Sequence, residues 1–278
     1  MLARAVKLAL RRSLAGAIGL LARPLHPNAR FVLLTDLGRA LVPQYRFKWP
    51  AMAWWHDEPF NRYLARFGDL DLPNADRRLM LGELLRLVHE IPGDTAECGV
   101  FMGAGSYAIC AANAISPHRR THHVFDSFEG LSAPEHADGA YWNRGDLSFG
   151  LEGVRRNLAE FGDQVRFYPG WIPARFPEIA DRRFAFVHID VDLHQPTKDS
   201  VEFFYPRLAA GGLLLCDDYG STWCPGATRA CDEFLADKPE KMVRLDAAGG
   251  FLIKGTSTGP QGIAARDGMG ASLDLSRS

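Results

Sequence analysis

Glu97-Cys98-Gly99-Val100-Phe101-Met102-Gly103-Ala104-Gly105-Ser106 joins a short apolar run, Thr95 to Val100, to a helical stretch over 106–116. Glycines at such a junction let the backbone turn sharply and approach a ligand, and the helix start offers unpaired N–H groups. A dinucleotide fold would place G-x-G-x-x-G here to hug a pyrophosphate. The spacing is instead G-x-x-x-G-x-G, with Glu97 in front of it. A carboxylate there suits an ammonium or hydroxyl partner better than a phosphate, although a purely structural turn would also use glycines.

Outward from this junction the chain alternates strand and helix. Strands are predicted over His123 to Asp126, Val165 to Tyr168, Phe184 to Val191 and Leu213 to Asp217. The run Phe184 to Val191 is strongly apolar, as for a central strand covered on both faces. Helices are predicted over 150–161, over Thr197 to Leu208 with Gly211-Gly212 as a C-cap, and over Ala227 to Ala236. Upstream, Asn74 is placed to cap a helix with a Leu81, Leu84, Leu85, Val88 stripe. Met242–Asp246 and Phe251–Lys254 flank Ala-Ala-Gly-Gly as a hairpin. The pattern predicts an α/β fold with a mostly parallel sheet and one antiparallel strand near its edge.

The densest chemistry is His188-Ile189-Asp190-Val191-Asp192-Leu193-His194. In an extended strand His188, Asp190 and Asp192 share a face. Two carboxylates so close repel and are costly to desolvate unless a cation or donor compensates. The next strand ends in Asp217-Asp218, so several acids converge on one C-terminal sheet edge, where open α/β sheets bind ligands. Two adjacent aspartates cannot both point inward from a straight strand, so Asp217 and Asp218 must sit where it turns. Hard oxygen donors without cysteine favour Mg²⁺ over zinc. Asp126, ending the second strand, is placed to accept from ribose hydroxyls, as in nicotinamide and S-adenosylmethionine enzymes alike. His188 reads as a strand histidine near the site. His194 is a candidate acceptor contact, and Tyr141, Trp142, Trp171, Tyr219 and Trp223 fall in loops where they can stack on a ring or simply pack. The 132–149 loop has the length of a lid.

The 278 residues carry a formal charge of −1, so the whole molecule has no pull toward nucleic acid and any electrostatic function is local. Charge is distributed unevenly: Arg4, Lys7, Arg11, Arg12, Arg23 and Arg30 precede the first acid, Asp36. Val6, Leu10, Leu14, Ala17 and Leu21 recur at helical spacing, giving residues 1–25 a basic amphipathic pattern that suits docking on protein or peripheral contact with a membrane surface. The apolar stretch Leu14 to Ala22 is too short to span a bilayer, and no small-residue cleavage site follows it. Five cysteines without close pairing read as free thiols in a reducing, cytoplasmic setting. The tail after Gly255 lacks periodicity and is expected to be disordered.

Ala96-Glu97-Cys98-Gly99-Val100, Val124-Phe125-Asp126-Ser127-Phe128-Glu129-Gly130-Leu131, Gly170-Trp171, His188-Ile189-Asp190-Val191-Asp192-Leu193 and Asp217-Asp218-Tyr219 occur in this order. On these segments, residues 94–255 resemble the macrocin and mycinamicin (TylF-like) sugar O-methyltransferases and the related novobiocin-pathway enzyme. The resemblance implies a class I methyltransferase (Rossmann-like) seven-stranded sheet, S-adenosyl-L-methionine, Mg²⁺ and a sugar or other small-molecule glycoside acceptor. By position it makes Asp190, Asp217 and Asp218 metal ligands and Asp192 the general base. Cofactor contacts are expected at Glu97, Gly99, Gly103, Ser106, Asp126, Ser127, Gly170, Trp171 and Asp190. It divides the chain into an extension (1–90) shaping acceptor pocket and oligomer, a methyltransferase domain (91–255) and a tail (256–278), and implies a homo-oligomer. Two other readings remain at this point: a glycosyltransferase using Asp190-Val191-Asp192 as DxD, and a non-enzymatic binding module.

Overall fold

The apolar runs pair into one seven-stranded sheet in the order β3-β2-β1-β4-β5-β7-β6. In this computed structural model the described residues are 13, 16–25, 27–41, 57–69, 74–245 and 249–259. Strands β1 (Asp94–Cys98), β2 (His122–Asp126), β3 (Val165–Pro169), β4 (Phe184–Ile189) and β5 (Leu208–Cys216) run parallel. β7 (Gly250–Ile253) lies antiparallel to both β5 and β6 (Val243–Arg244), as the hairpin predicts. The sheet carries α1 (Glu58–Arg66), α2 (Ala75–Leu87), α3 (Ala104–Ala114), α4 (Leu151–Asn157), α5 (His194–Phe204) and α6 (Pro225–Leu235).

Every residue of central β4 is buried, because helices cover both sheet faces. Val187 and Ile189 join Leu214 and Cys216 beneath Val201 and Phe204 of α5 and Cys231 and Leu235 of α6. Phe186, Leu213 and Leu215 meet the predicted Leu81, Leu84, Leu85 and Val88 stripe of α2, with Ile109 of α3. α2 is fastened at its C-terminal end by buried Arg120, whose Nη2 donates to Val88, His89 and Ile91 carbonyls at 2.6, 3.1 and 2.7 Å. Asn74 stands at the N-cap, but its side chain makes no capping bond.

Several boundaries depart from the sequence reading. β4 stops at Ile189, two residues early: Asp190 N–H still donates to Cys98 O at 2.8 Å, and the chain leaves the sheet after it. Gly211 and Gly212 do not cap a helix. The helix ends at Phe204, a 3-10 turn Tyr205–Arg207 follows, and both glycines lie within β5. Gly211 has φ +79° at an irregularity in the β4–β5 register, which calls for a residue without Cβ. The 150–161 helix is α4 followed by a 3-10 turn, Ala159–Gln164.

By internal packing the chain divides into Met1–Asp57 and Glu58–Ser278. In the first unit residues 16–22 and Pro27–Leu41 are helical. The expectations for residues 1–12 and for the tail from 260 lie outside the described residues. Among the described residues no helix is long and apolar enough to cross a membrane.

Arg120→Met should keep the fold but loosen the α2 end. A loss of about 2 kcal/mol is expected in urea unfolding, the order of a charge-assisted bond set left with buried acceptors. Unchanged stability would show that water replaces the guanidinium at no cost.

Candidate functional site

The carboxyl ends of β2, β1, β4 and β5 stand side by side, and sheet register decides what meets there. Glu97 pairs with Val124 on one side and His188 on the other. Gly99 N–H donates to Phe125 O, Asp190 N–H to Cys98 O and Asp217 N–H to Ile189 O, at 2.8, 2.8 and 2.9 Å. Each strand therefore hands its neighbour a loop start at one level. Strand order reverses about β1 and β4, the position where parallel sheets open a crevice. A cavity of about 960 Å³ opens there, lined among others by Glu97, Gly99, Asp126, Asp190, Asp192, Asp217 and Asp218.

The glycine loop is shaped for close approach. Gly99 has φ +76°, and a Cβ on it would run into the Asp190 carbonyl. A Cβ on Gly105 would land on Glu97 Oε1. Glu97 is buried and held at both oxygens: Ser106 Oγ donates to Oε2, and His188 Nδ1 donates to Oε1 at 2.7 Å. The Ser106 proton being spent on Glu97, His122 Nε2–H must donate to Ser106 Oγ at 3.0 Å. Its Nδ1 then accepts from Thr95 Oγ1, also at 3.0 Å. Burial holds the His122 pKa down at about 4, consistent with this neutral tautomer. Asp126 Oδ2 accepts from Val100 N–H at 2.8 Å and Oδ1 from Phe128 N–H at 2.6 Å. Burial nevertheless raises its pKa.

The acidic strand ends are compensated from a direction the sequence reading missed. Arg77 Nη1 lies 2.5 Å from Asp217 Oδ2 and 3.8 Å from Asp218 Oδ1, and Arg78 pairs with Asp69 at 3.1 Å. Arg77 and Arg78 stand one turn before Leu81, on the face that α2 buries. An arginine on an apolar stripe was the available signal. His188 Nε2 sits 3.5 Å from Asp217 Oδ1, a charge contact rather than a full hydrogen bond. Burial alone would lower the His188 pKa, but Asp217 and Glu97 together push it up to about 10. Burial would raise Asp217, yet His188 and Arg77 hold it well below the usual carboxylate range.

The remaining acids are less well compensated: Asp218 has only the longer contact to Arg77, and among the described residues Asp190 and Asp192 form no ion pair. Burial, with Asp217 close by, raises Asp190 to about 7. Burial raises Asp192 to about 6 and pushes Asp218 well above the ordinary value. Asp192 reaches the site by an unexpected route. It lies beyond β4 in the left-handed region, φ +58°, so the strand-parity argument does not apply. Its N–H donates to Asp218 Oδ2 at 3.1 Å, and its Oδ1 accepts from the Cys224 thiol at 3.5 Å. Asp217 and Asp218 do fall where the strand turns, since β5 ends at Cys216. Their side chains diverge: Asp217 groups with His188 and Asp190, Asp218 with Asp192 and Cys224.

Around the mouth, Trp171, Tyr141, Trp142 and Trp223 line the cavity. Tyr141 and Trp223 stack at 5.2 Å and 6°, and Trp142 Nε1 donates to Cys224 Sγ at 3.3 Å. Ser127 lines the cavity, but its hydroxyl is turned into its own loop, donating to Gly130 O at 2.9 Å. Gly103, Ser106 and Gly170 support the lining from behind: Gly103 is the N-cap of α3, and Gly170 N–H donates to Asp126 O at 2.9 Å. His194 and Tyr219 lie outside the lining. The His194 ring faces Glu233 at 3.3 Å, and Tyr219 is buried with its hydroxyl on Asp232 at 2.8 Å.

The macrocin-O-methyltransferase (TylF) family model matches residues 78–254, well over half of the chain. The chain belongs to this family. The match begins at Arg78, so Arg77 stands just ahead of it. One similar protein is the 8-demethyl-8-(2,3-dimethoxy-alpha-L-rhamnosyl)-tetracenomycin-C 4'-O-methyltransferase of Streptomyces olivaceus, 37% identical over 152 residues. That stretch covers 51% of this chain and 58% of the relative. The mycinamicin III 3''-O-methyltransferase of Micromonospora griseorubida is 33% identical over 175 residues, 57% of this chain and 67% of that one. The solved structure of the O-methyltransferase NovP superposes with a TM-score of 0.51 at 29% identity, covering 63% of this chain and 79% of that one.

His188 gives a pH signature. Its proton is held in the folded state up to about 10 and in the unfolded state only to its ordinary value near 6.5, so stability against unfolding falls as pH rises through that window. Urea unfolding of wild type and His188→Gln should show the largest gap at pH 6 and a smaller one at pH 10. A gap that is equal at both would mean that His188 is neutral in the fold.

Proposed function

We propose that this chain is an S-adenosylmethionine-dependent O-methyltransferase that uses Mg²⁺ or a similar divalent ion and methylates a hydroxyl of a sugar. The acceptor would be a small-molecule glycoside or a glycan residue. The observation that carries the reading is the set Asp190, Asp192, Asp217 and Asp218 beside a glycine loop in one cavity, in a chain of this family. Family membership disfavours the glycosyltransferase reading of Asp190-Val191-Asp192. The buried free thiols support the reducing, cytoplasmic setting.

The donor set fits a hard divalent cation. Asp190, Asp217 and Asp218 offer carboxylate oxygens, the Cys224 thiol beside Asp218 is a soft group in the adjacent grouping, and burial raises the pKa of Asp190 and Asp218. Asp190 and Asp217, which share a grouping, would hold the ion, with Asp218 completing the set from the adjacent one. When bound, the ion supplies Lewis acidity that favours the alkoxide form of an acceptor hydroxyl.

S-adenosylmethionine supplies an already activated methyl group, so the protein's task is to position two reactants and remove one proton. Gly99 leaves room for the Asp190 carbonyl and Gly105 for the Glu97 carboxylate, so the glycine loop packs close against the acids of the cavity. Asp126, fixed by two backbone donors, retains lone pairs for ribose hydroxyls. Glu97, fixed by Ser106 and His188, presents negative charge behind the loop. Among the described residues Asp192 forms no ion pair, and burial raises its pKa to about 6, so near neutral pH it is ionised yet basic enough to take the acceptor proton.

Asp192→Asn should retain binding of S-adenosylhomocysteine in calorimetry while kcat falls ~10²–10⁴-fold, the span of general-base catalysis. Wild-type turnover in that variant would remove Asp192 from this role. Chelation with EDTA should abolish turnover, and added Mg²⁺ should restore it. Full activity in EDTA would refute the metal assignment.

A further inference from the structure

The left-handed backbone at Asp192 is disfavoured for an L side chain and must be held by its surroundings. Two carboxylates hold it. Asp192 N–H donates to Asp218 Oδ2 at 3.1 Å, and two residues on, His194 N–H donates to Asp138 Oδ1 at 2.6 Å. Between them Leu193 N–H closes a tight turn on Val191 O at 2.5 Å. Asp218 belongs to the acidic cluster, but Asp138 comes from the long 132–149 loop, where it ends the 3-10 turn His136–Asp138.

Asp138 is buried to 3% exposure, and its second oxygen accepts from Glu135 N–H at 2.7 Å, closing a capping box. The fold makes room for it. A Cβ on Gly226, in the first turn of α6, would land on Asp138 Oδ1. The same loop reaches Asp192 a second way: Trp142 Nε1 donates to Cys224 Sγ at 3.3 Å, and that thiol meets Asp192 Oδ1 at 3.5 Å. The loop that carries the aromatic mouth thus reaches Asp192 by two indirect routes, through the His194 backbone N–H and through the Cys224 thiol.

We propose that Asp138 is a positioning residue for Asp192: its carboxylate, through His194 N–H, fixes the left-handed turn that aims the Asp192 carboxyl group into the cavity. This rests on the reading of Asp192 as the base of a methyl transfer. Asp138 borders the cavity, but both its oxygens are engaged by backbone N–H groups, so its role runs through the turn. It couples order in the 132–149 loop to the geometry of the proton acceptor.

The test compares full-length wild type, Asp138→Ala, Asp138→Asn, Gly226→Ala, Asp192→Asn and the Asp138→Ala/Asp192→Asn double variant. Turnover of labelled S-adenosylmethionine on a glycoside panel, calorimetry with S-adenosylhomocysteine and amide hydrogen exchange are measured on each. Asp138→Ala should lower kcat by about 100-fold, the scale of an ångström's misplacement, with cofactor-product affinity unchanged. Asp138→Asn keeps an oxygen for His194 N–H but loses the acceptor for Glu135 N–H, so it should recover part of that loss. Gly226→Ala, whose Cβ would displace the intact carboxylate and crowd His194 N and Cβ, breaks the same contact from both sides and should repeat the loss even if Asp138→Ala fails to fold. On Asp192→Asn the second substitution should add nothing to the loss. Amides of 192–194 should exchange faster in Asp138→Ala, and those of 106–114 should not.

Wild-type kcat in both Asp138→Ala and Gly226→Ala, a loss that multiplies in full on Asp192→Asn, or faster exchange throughout the sheet would each overturn the proposal. Absence of methyl transfer by wild type would overturn the reading of the site instead. Exchange at 192–194 would still report whether Asp138 holds the turn.

Discussion

One buried imidazole joins the two halves of the site. His188 lies between Glu97 at 2.7 Å and Asp217 at 3.5 Å, on adjacent parallel strands whose loops bear the glycine turn and the acidic turn. A neutral ring there would leave two buried carboxylates facing each other's field. As an imidazolium it lets both stay ionised in a water-poor interior. From Glu97 the bonding continues through Ser106, His122 and Thr95 to Asn113. From Asp217 it continues to Arg77 on α2. The polar spine thus crosses the sheet edge from α3 to α2, and the two helices that pack side by side fix its ends.

Charge balance along that spine is uneven. Asp217 has Arg77 and His188, whereas burial and neighbouring aspartates push up Asp190 and Asp218, Asp217 acting first on Asp190 and Asp192 first on Asp218. Such an arrangement costs folding energy and is retained where a cation completes it. The balance also separates the roles of four chemically identical side chains. Asp217 is locked into ion pairs. Asp190 and Asp218 are short of positive charge. Asp192 is set apart by its left-handed backbone and its contact with a thiol instead of a cation.

Much of this is legible in the sequence because parallel strands announce themselves as apolar runs and their ends fall at predictable places. The order of runs and the Ala-Ala-Gly-Gly hairpin suffice for a mainly parallel sheet with β7 reversed. The acids after β4 and β5 follow from adjacency alone. What escaped depends on three-dimensional closure. Strand parity extended β4 through Val191, whereas it stops at Ile189 and the chain leaves the sheet after the bond from Asp190 to Cys98. Gly211-Gly212 looks like a helix stop, but the pair serves a strand irregularity. Arg77 and Asp138 approach the site from 140 and 56 residues away in sequence, from Asp217 and His194 respectively, and no local pattern links them. His194 and Tyr219 were drawn in by proximity in sequence, yet a helix start and a turn rotate them away.

The central claim is that the acidic strand ends are built to receive a divalent cation beside the methyl-donor site. Its most direct test is calorimetric titration of the metal-stripped full chain with Mg²⁺, with and without S-adenosylhomocysteine. The account predicts saturable Mg²⁺ binding that Asp190→Asn weakens, in a protein that also binds S-adenosylhomocysteine. A protein that binds S-adenosylhomocysteine normally but shows no saturable Mg²⁺ or Mn²⁺ binding in either titration would contradict it.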